Sequence, residues 1–185
     1  MFHDRFWLTT ERLGLRHFTP DDFDWLMALY QDPDVMQYLG GPKDRAHVED
    51  LMQARILKYY DEHPGLGIWM TVDRATEAPL GLHVLNNIHG ETLIQVGFIL
   101  AKPAWGQGIA SEMGTALVRY GFVDLGLPRI VGITDPANLA SQHALMKIGL
   151  HRNGERLLPH PAYAADGPQA FFERDAADWL AEAGR

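Results

Sequence analysis

The 185-residue sequence contains no cysteine. This absence excludes disulfide bonds and thiolate metal ligands, and it fits a reducing compartment. No run of apolar residues approaches the ~20 that a membrane-spanning helix needs. Charged residues interrupt the first fifteen positions, so no apolar signal-peptide core fits there: Asp4, Arg5, Glu11 and Arg12. We therefore expect a cytoplasmic protein with no membrane partner.

Positive charge is also scarce. The 16 lysines and arginines face 24 acidic residues, which gives a formal net charge of −8. Because such a chain repels a phosphate backbone, we predict no nucleic-acid partner and favour a cationic small molecule or peptide. The nine histidines are scattered and show no HExxH-like spacing, so no metal site is predicted. Length and composition fit a single globular domain over residues 1–185.

Apolar periodicity then predicts the elements. Residues 12–18 alternate as in a strand, and the Thr-Pro-Asp-Asp run at 19–22 starts a helix with an apolar stripe. A longer helix is predicted from about Asp44 to Glu62. Three strands follow, of which the third, LIQVGFIL, is almost wholly apolar and predicts a central strand covered on both faces. Two helix–strand units, a last strand and a C-terminal helix complete an α/β (mixed α+β) fold around a mixed sheet.

The stretch PAWGQGIASE, residues 103–112, joins the apolar strand to a helix. Such a joint leaves unpaired backbone N–H groups at the positive end of a helix dipole, which suits an anion. Gly106 and Gly108 lack β-carbons and allow close approach of a ligand. The missing lysine argues against a nucleotide P-loop, and Ser111 and the late position argue against a dinucleotide fingerprint. A pyrophosphate loop for coenzyme A and a turn that needs glycine for its geometry alone both remain.

Four segments carry a family resemblance: TTERLGLRHFTPDDFDWL, DPDVMQYLGG, VGFILAKPAWGQGIASE and DPANLASQHALMKIGL. In order and approximate spacing they resemble the GCN5-related N-acetyltransferase (GNAT) superfamily, and within it the RimJ/RimL-like ribosomal-protein N-terminal acetyltransferases. The resemblance covers about residues 9–157. It implies an acetyl-CoA core at about 93–150 in a six- to seven-stranded mixed sheet, with helices on both faces and a splayed strand pair that holds acetyl-CoA. Homodimers are common in this branch.

The resemblance also implies a set of cofactor-binding residues. The N–H groups from about 106 to 111 would hold the pyrophosphate. The edge of the preceding strand at residues 98–100, and Asn138 at the head of a later helix, would hold the pantetheine. Trp105 departs from the family's Arg or Gln at that position. Asn138 matches a family asparagine that contacts the pantetheine, and it is equally a good helix N-cap. The predicted cofactor contacts are Phe98, Ile99, Leu100, Trp105, Gly106, Gln107, Gly108, Ile109, Ala110, Ser111, Asn138 and Ser141.

The catalytic positions depart from the family. Gln95 stands where many relatives have a glutamate base, and Met146 stands where many have a tyrosine acid. We assign Ser141 to the departing sulfur or its proton, with a small residue for close cofactor approach as the alternative. Asp135 and His160 are ranked first among the candidate bases, which are His83, His89, Asp135, Glu155 and His160.

The sequence gives less information about the acceptor amine than about the donor. In the family fold, the pocket walls here would be residues 35–47 and 158–169, and Tyr38 and Tyr163 are the predicted substrate contacts. Deprotonating an α-amine at pH 7 costs about 1.4 kcal/mol, against about 4.6 kcal/mol for a lysine side chain. A site without an obvious carboxylate base therefore favours a peptide N-terminus. The alternatives are a small metabolite or antibiotic amine, and a catalytically silent acyl-CoA-binding module.

Overall fold

An eight-stranded sheet runs through the structure, a computed structural model that describes residues 5–160 and 167–183. The spatial order is β1-β2-β3-β4-β5-β6-β8-β7, and every pair is antiparallel except the parallel β5–β6 pair. The two-residue edge strand β1 is one reason that the sheet exceeds the predicted six or seven strands. The strands are β1 Leu8–Thr9, β2 Leu13–His17, β3 Gly67–Asp73, β4 Pro79–Asn87, β5 Ile94–Leu100, β6 Arg129–Thr134, β7 His151–Arg156 and β8 Gln169–Asp175.

The helices lie between and after these strands. They are α1 Phe23–Gln31, α2 Arg45–Asp50, α3 Lys58–Glu62, α4 Ile109–Arg119, α5 Leu139–Lys147 and α6 Ala176–Ala183. A π-helical segment, Leu51–Leu57, joins α2 to α3, so the helical run predicted for 44–62 is continuous. A second π-helical segment, Tyr120–Asp124, extends α4. None of the helices in the described ranges is long and apolar enough to cross a membrane.

Buried apolar side chains form a core on each face of the sheet. On one face, Met113 and Leu117 of α4 pack in a cluster with Leu85 of β4 and Val96 of β5. On the other face, Leu26 of α1, with Val48 and Ile56 of the 45–62 run, packs with Met70 and Leu82 of the sheet. The mixed sheet with helices on both faces confirms the predicted fold class. The sheet also has an opening, and residues of the helical layers lie beside it.

That opening lies beside β5. The strand is central, between β4 and β6, as the sequence predicts. The strand is not covered on both faces: Val96 is fully buried, and the other six residues of β5 are only half-buried. β5 and β6 share a single register pair, Gln95 with Val131. Beyond that pair the two strands separate, and the half-buried residues 97–100 line the space between them.

Candidate active site

A cleft of about 460 Å³ opens where β5 and β6 separate. Its walls come from the loop after α1, β5, the glycine turn with the first turn of α4, the end of β6, α5 and the start of β8. Most lining residues are apolar or uncharged, so the cleft suits an elongated ligand with a largely neutral arm. The residues that line it are Asp34, Val35, Gln37, Tyr38, Leu39, Gly97, Phe98, Ile99, Leu100, Trp105, Gly106, Ala110, Ile133, Thr134, Asp135, Asn138, Ala140, Ser141, Ala144, Leu145 and Gln169.

The glycine turn forms one end of the cleft. Gly106 and Gly108 have φ of +71° and +75°, which side-chain-bearing residues rarely adopt. Gly108 is the N-cap residue of α4 and provides no side-chain cap. The first backbone hydrogen bond of α4 runs from the amide of Glu112 to the Gly108 carbonyl (2.9 Å). The amides of 109–111 therefore have no intrahelical acceptor, and a helix start of this kind can hold an anion.

The structure brings most of the predicted cofactor contacts together around this turn. Two hydrogen bonds fix the turn: the Trp105 indole N–H donates to the Leu100 carbonyl (2.9 Å), and the Gln107 side chain donates to the Pro103 carbonyl (2.7 Å). Eight of the predicted contacts line the cleft: Phe98, Ile99, Leu100, Trp105, Gly106, Ala110, Asn138 and Ser141. The other four belong to the turn and the first turn of α4 without being lining residues: Gln107, Gly108, Ile109 and Ser111. The side chain of Ile109 packs in the core instead.

One face of α5 forms the opposite wall. The Asn138 side chain caps the helix, since its Oδ1 accepts from the amide of Ser141 (3.1 Å). Asn138, Ser141 and Leu145 lie three and four residues apart and all line the cleft, as neighbours on one helix face do. Met146 is 46% exposed and is not among the lining residues. Leu145, and not Met146, therefore lines the cleft, and neither side chain can donate a proton.

The two candidate bases ranked first lie in different places. Asp135 follows β6 and lines the cleft, and its Oδ1 accepts from the amide of Ala137 (2.7 Å). His160 is not among the lining residues. Its ring stacks on His89 at a centroid distance of 3.7 Å and packs over Gly90 in the β4–β5 connection. The structure therefore brings Asp135, and not His160, together with Ser141.

His83 is fully buried and cannot meet a substrate amine. Its Nε2 lies 3.3 Å from the Ala110 carbonyl, and its Nδ1 lies 2.6 Å from the Thr71 hydroxyl. Since a carbonyl can only accept, the ring proton belongs on Nε2, and Thr71 donates to Nδ1. Burial lowers the pKa of His83 to about 4, so the ring is neutral at physiological pH. His83 thus donates to the Ala110 carbonyl in the first turn of α4, and it is not a catalytic base.

The wall nearest to the proposed acceptor end comes from the loop after α1. Tyr38 lines the cleft as predicted, whereas Tyr163 lies outside the described residues. Asp34 also lines the cleft and forms an ion pair with Lys102. Sequence reasoning missed Asp34, whose position just after a helix resembles an ordinary loop acid. No group of acids and histidines in the described ranges could hold a metal ion.

The chain matches the model of the acetyltransferase (GNAT) domain over residues 12–151. This match covers most of the chain and every lining residue of the cleft except Gln169 of β8. The protein belongs to the GNAT acetyltransferase family and is an N-acetyltransferase. Members of this family use acetyl-CoA, which agrees with the open helix start at the glycine turn and the largely apolar cleft.

Relatives and solved structures agree with this family. An uncharacterized protein YkkB of Bacillus subtilis is 33% identical over 78% of this chain and 84% of its own length. An uncharacterized N-acetyltransferase YoaA of the same organism is 30% identical over 80% and 84%. Among structures, the Vibrio cholerae spermidine N-acetyltransferase with CoA and spermine has a TM-score of 0.71, at 18% identity over 92% and 99% of the chains. The Vibrio fischeri ribosomal-protein-S5-alanine acetyltransferase has a TM-score of 0.72, at 18% identity over 93% and 97%.

Proposed function

We propose that this chain transfers the acetyl group of acetyl-CoA directly to a primary amine, with the α-amine of a peptide N-terminus as the preferred acceptor. The observation that carries the proposal is the cleft between β5 and β6, which ends at an uncapped helix start. The acceptor would attack the thioester within a ternary complex. The absence of cysteine from the chain excludes an acetyl-cysteine intermediate.

The donor would be held by backbone groups. The amides of 106–111 would face the two phosphates of the donor, where the α4 dipole favours negative charge. Gln95 is the one β5 residue with a register partner in β6, so residues 98–100 have none there. Their cleft-side backbone groups would hydrogen-bond the pantetheine arm as an added strand does. Asn138, on the opposite wall, would complete this contact with its amide nitrogen, because its oxygen is occupied by the cap.

The reacting groups would meet between β5 and α5. The bound donor supplies an acetyl thioester, and an amide N–H near Ile99 would polarise its carbonyl. The Ser141 hydroxyl would give a proton to the departing sulfur. Asp135, which lines the same cleft, would take the proton from the amine, directly or through water. These roles follow from placement in one cleft and from the chemistry that acyl transfer requires.

The charge of the cleft supports a cationic acceptor. Its lining contains the carboxylates of Asp34, which is paired with Lys102 outside the lining, and of Asp135, and within the described residues it contains no lysine or arginine. An α-amine is preferred to a lysine side chain because its deprotonation at neutral pH costs about 3 kcal/mol less. The same two carboxylates favour a small cationic amine as the second candidate. The spermidine and ribosomal-protein acetyltransferases of the same fold represent these two acceptor classes.

Three further assignments are part of the proposal. The segments TTERLGLRHF and DPANLASQHALMKIGL support placement in the RimJ/RimL-like branch. The acidic, cysteine-free composition supports a cytoplasmic location, and the frequency of dimers in that branch supports a homodimer.

A paired measurement tests the function. Calorimetry with CoA measures donor binding, and thiol release from acetyl-CoA over a panel of N-terminal peptides, polyamines and aminoglycosides measures turnover. We expect micromolar CoA binding and turnover that is fastest with a peptide N-terminus. Fastest turnover with a polyamine or aminoglycoside would replace the preferred acceptor by the second candidate. Binding without turnover on any amine would favour a silent acyl-CoA module, and no binding would refute the donor site.

A further inference from the structure

Arg12 reaches the glycine turn from the opposite end of the sequence. It stands directly before β2, and its Nη2 donates to the Gln107 carbonyl at 3.0 Å. Its Nε donates to Oε2 of Glu112 at 2.7 Å. On the other carboxylate oxygen, Oε1 of Glu112 accepts from the Thr10 hydroxyl at 2.5 Å and from the Arg12 amide at 3.2 Å. The β1–β2 hairpin is therefore fastened to the turn and to the first turn of α4 by one guanidinium.

The contact with Gln107 fixes a peptide plane. Gln107 stands between Gly106 and Gly108, which both have positive φ. Because glycine lacks a β-carbon, the backbone of this short segment can adopt more conformations than an ordinary turn. The described chain contains no cis peptide bond. In a trans peptide the carbonyl of one residue and the N–H of the next point in opposite directions. Holding the Gln107 carbonyl on Arg12 therefore turns the Gly108 N–H away from Arg12 and leaves it free of an intra-turn acceptor.

The contact with Glu112 removes an electrostatic conflict. Glu112 lies in the first turn of α4, next to the amides proposed to hold two phosphates. Partial burial by itself would raise the pKa of this carboxyl, but hydrogen bonds from Thr10 and Arg12 outweigh burial and lower the pKa. The group is consequently an anion at neutral pH. Without a cation beside it, this anion would repel the donor phosphates.

We propose that Arg12 is a positioning residue for the donor diphosphate: it orients the Gln107–Gly108 peptide and neutralises Glu112 at the turn. This inference rests on the proposed acetyl-CoA site, and it adds a residue outside the glycine turn to the machinery that selects a phosphorylated donor. It also gives a reason for the contact between two segments about 100 residues apart, TTERLGL and GQGIASE: Arg12 of the first hydrogen-bonds Gln107 and Glu112 of the second.

The test compares a donor that has the diphosphate with one that lacks it. Arg12→Met should weaken CoA binding about tenfold or more by calorimetry. Arg12→Met/Glu112→Gln should recover part of that loss, because the unpaired anion is gone and the new side-chain amide still accepts from Thr10, while the Gln107 carbonyl stays without its donor. Arg12→Lys should lie between the wild type and Arg12→Met. The KM for S-acetyl-pantetheine, which has no diphosphate, should stay within about twofold of the wild type in all variants.

Arg74→Met is the matched control. Arg74 contacts the same hairpin, since its Nη1 donates to the Thr10 carbonyl at 3.1 Å, but within the described residues it makes no hydrogen bond to the glycine turn. Its removal subtracts the same charge and should leave CoA affinity unchanged. Equal CoA affinity of Arg12→Met and wild type would overturn the inference, as would a parallel loss of S-acetyl-pantetheine turnover. Failure of the wild type to bind CoA would refute the proposed function itself, and this outcome is visible before any variant is made.

Discussion

Ser141 is the residue on which the proposed chemistry depends most directly. It lies on the cleft face of α5, and its amide is held by the Asn138 cap. No hydrogen bond of its hydroxyl is found within the described residues, so that the hydroxyl can turn toward a ligand. Leu145, one turn further along the same face, offers no proton. Proton delivery from α5 therefore rests on a single small side chain.

Replacing Ser141 by Ala should lower kcat about 100-fold, because a positioned general acid contributes at least that much. The dissociation constant of CoA should change less than about twofold, since the diphosphate and pantetheine contacts remain. Steady-state kinetics with calorimetry measures both. An unchanged kcat would show that position 141 needs only a small residue for close approach of the donor.

His83 gives the protein a specific sensitivity to acid. The folded state holds this histidine neutral with a pKa lowered to about 4 by burial, whereas the unfolded chain protonates it near pH 6.5. Between these two pH values the unfolded state binds one more proton, so stability falls as the pH is lowered. The effect amounts to about 3 kcal/mol across the window from pH 6.5 to 4, and it is absent above pH 6.5.

A His83→Gln variant should lose less stability than the wild type between pH 6.5 and 4, even though its stability at pH 7 is lower. Urea unfolding across this window measures the slope. His143→Gln is the control, because it makes the same replacement at an exposed position on α5. Identical slopes for His83→Gln and wild type would contradict the buried, neutral state.

At the scale of elements, α5 is both a structural wall and a proposed ligand surface. Its N-terminus is capped by Asn138, whose oxygen serves the helix while its amide nitrogen stays available to the cleft. The glycine turn before α4 is built in the opposite way: no side chain caps it, and its amides stay open. The two helix starts lining one cleft thus differ in function because one has an internal cap and the other does not.

Two substitutions of Asn138 separate its two roles. Asn138→Ala should destabilise the protein by about 1 kcal/mol through loss of the cap, and Asn138→Asp should keep that stability. Both should weaken CoA binding, because neither offers an amide nitrogen, by about 1–2 kcal/mol. Chemical denaturation and calorimetry give the two values. Leu139→Ala, at an exposed position outside the lining, should change neither, and wild-type affinity in Asn138→Asp would reduce Asn138 to a cap alone.

At the scale of the whole molecule, donor binding and folding should be linked. The cleft draws its walls from the loop after α1, the middle of the sheet and α5, so a ligand that fills it contacts only the folded chain. At a CoA concentration of 100 times the dissociation constant, the stabilisation is about 2.7 kcal/mol. For a domain of this size the melting temperature should rise by roughly 5–10 °C.

Gly108→Glu should abolish this thermal shift, because a carboxylate would stand at the phosphate site. The substitution also forces a side chain into a left-handed conformation, so strain needs a control. Gly126→Glu provides it: Gly126 has φ of +65°, its β-carbon would meet open space, and it lies outside the glycine turn, between the π-helical segment Tyr120–Asp124 and β6. Thermal unfolding with and without CoA should show a lower melting temperature for both variants but a CoA-dependent rise only for Gly126→Glu. A full rise in Gly108→Glu would refute the loop assignment.

Local pattern was sufficient to predict most of the helices and strands, and the resemblance of four segments to the GNAT superfamily predicted the class. The apolar stripe of α1, the helical run at 45–62 and the strand preceding the glycines depend on neighbours a few residues apart, and the sequence displays them directly. The glycine turn and the cap Asn138 are equally local. The strand β5 shows the limit: its apolar run predicted burial, but the run faces the cleft, and a residue facing a ligand site has the same composition as a core residue.

The sequence by itself determined a mixed α/β fold, because periodicity is contained in short segments. Its resemblance to the GNAT superfamily predicted the acetyltransferase class and the turn proposed to bind the donor. Only the tertiary structure decided which titratable groups share the cleft. It placed Asp135 and Ser141 in the lining of one cleft, stacked His160 on His89, and buried His83 against the first turn of α4. It also joined Arg12 to Glu112 across 100 positions. Such pairings arise from the separation of β5 from β6 and from the packing of distant strands, which no local pattern specifies.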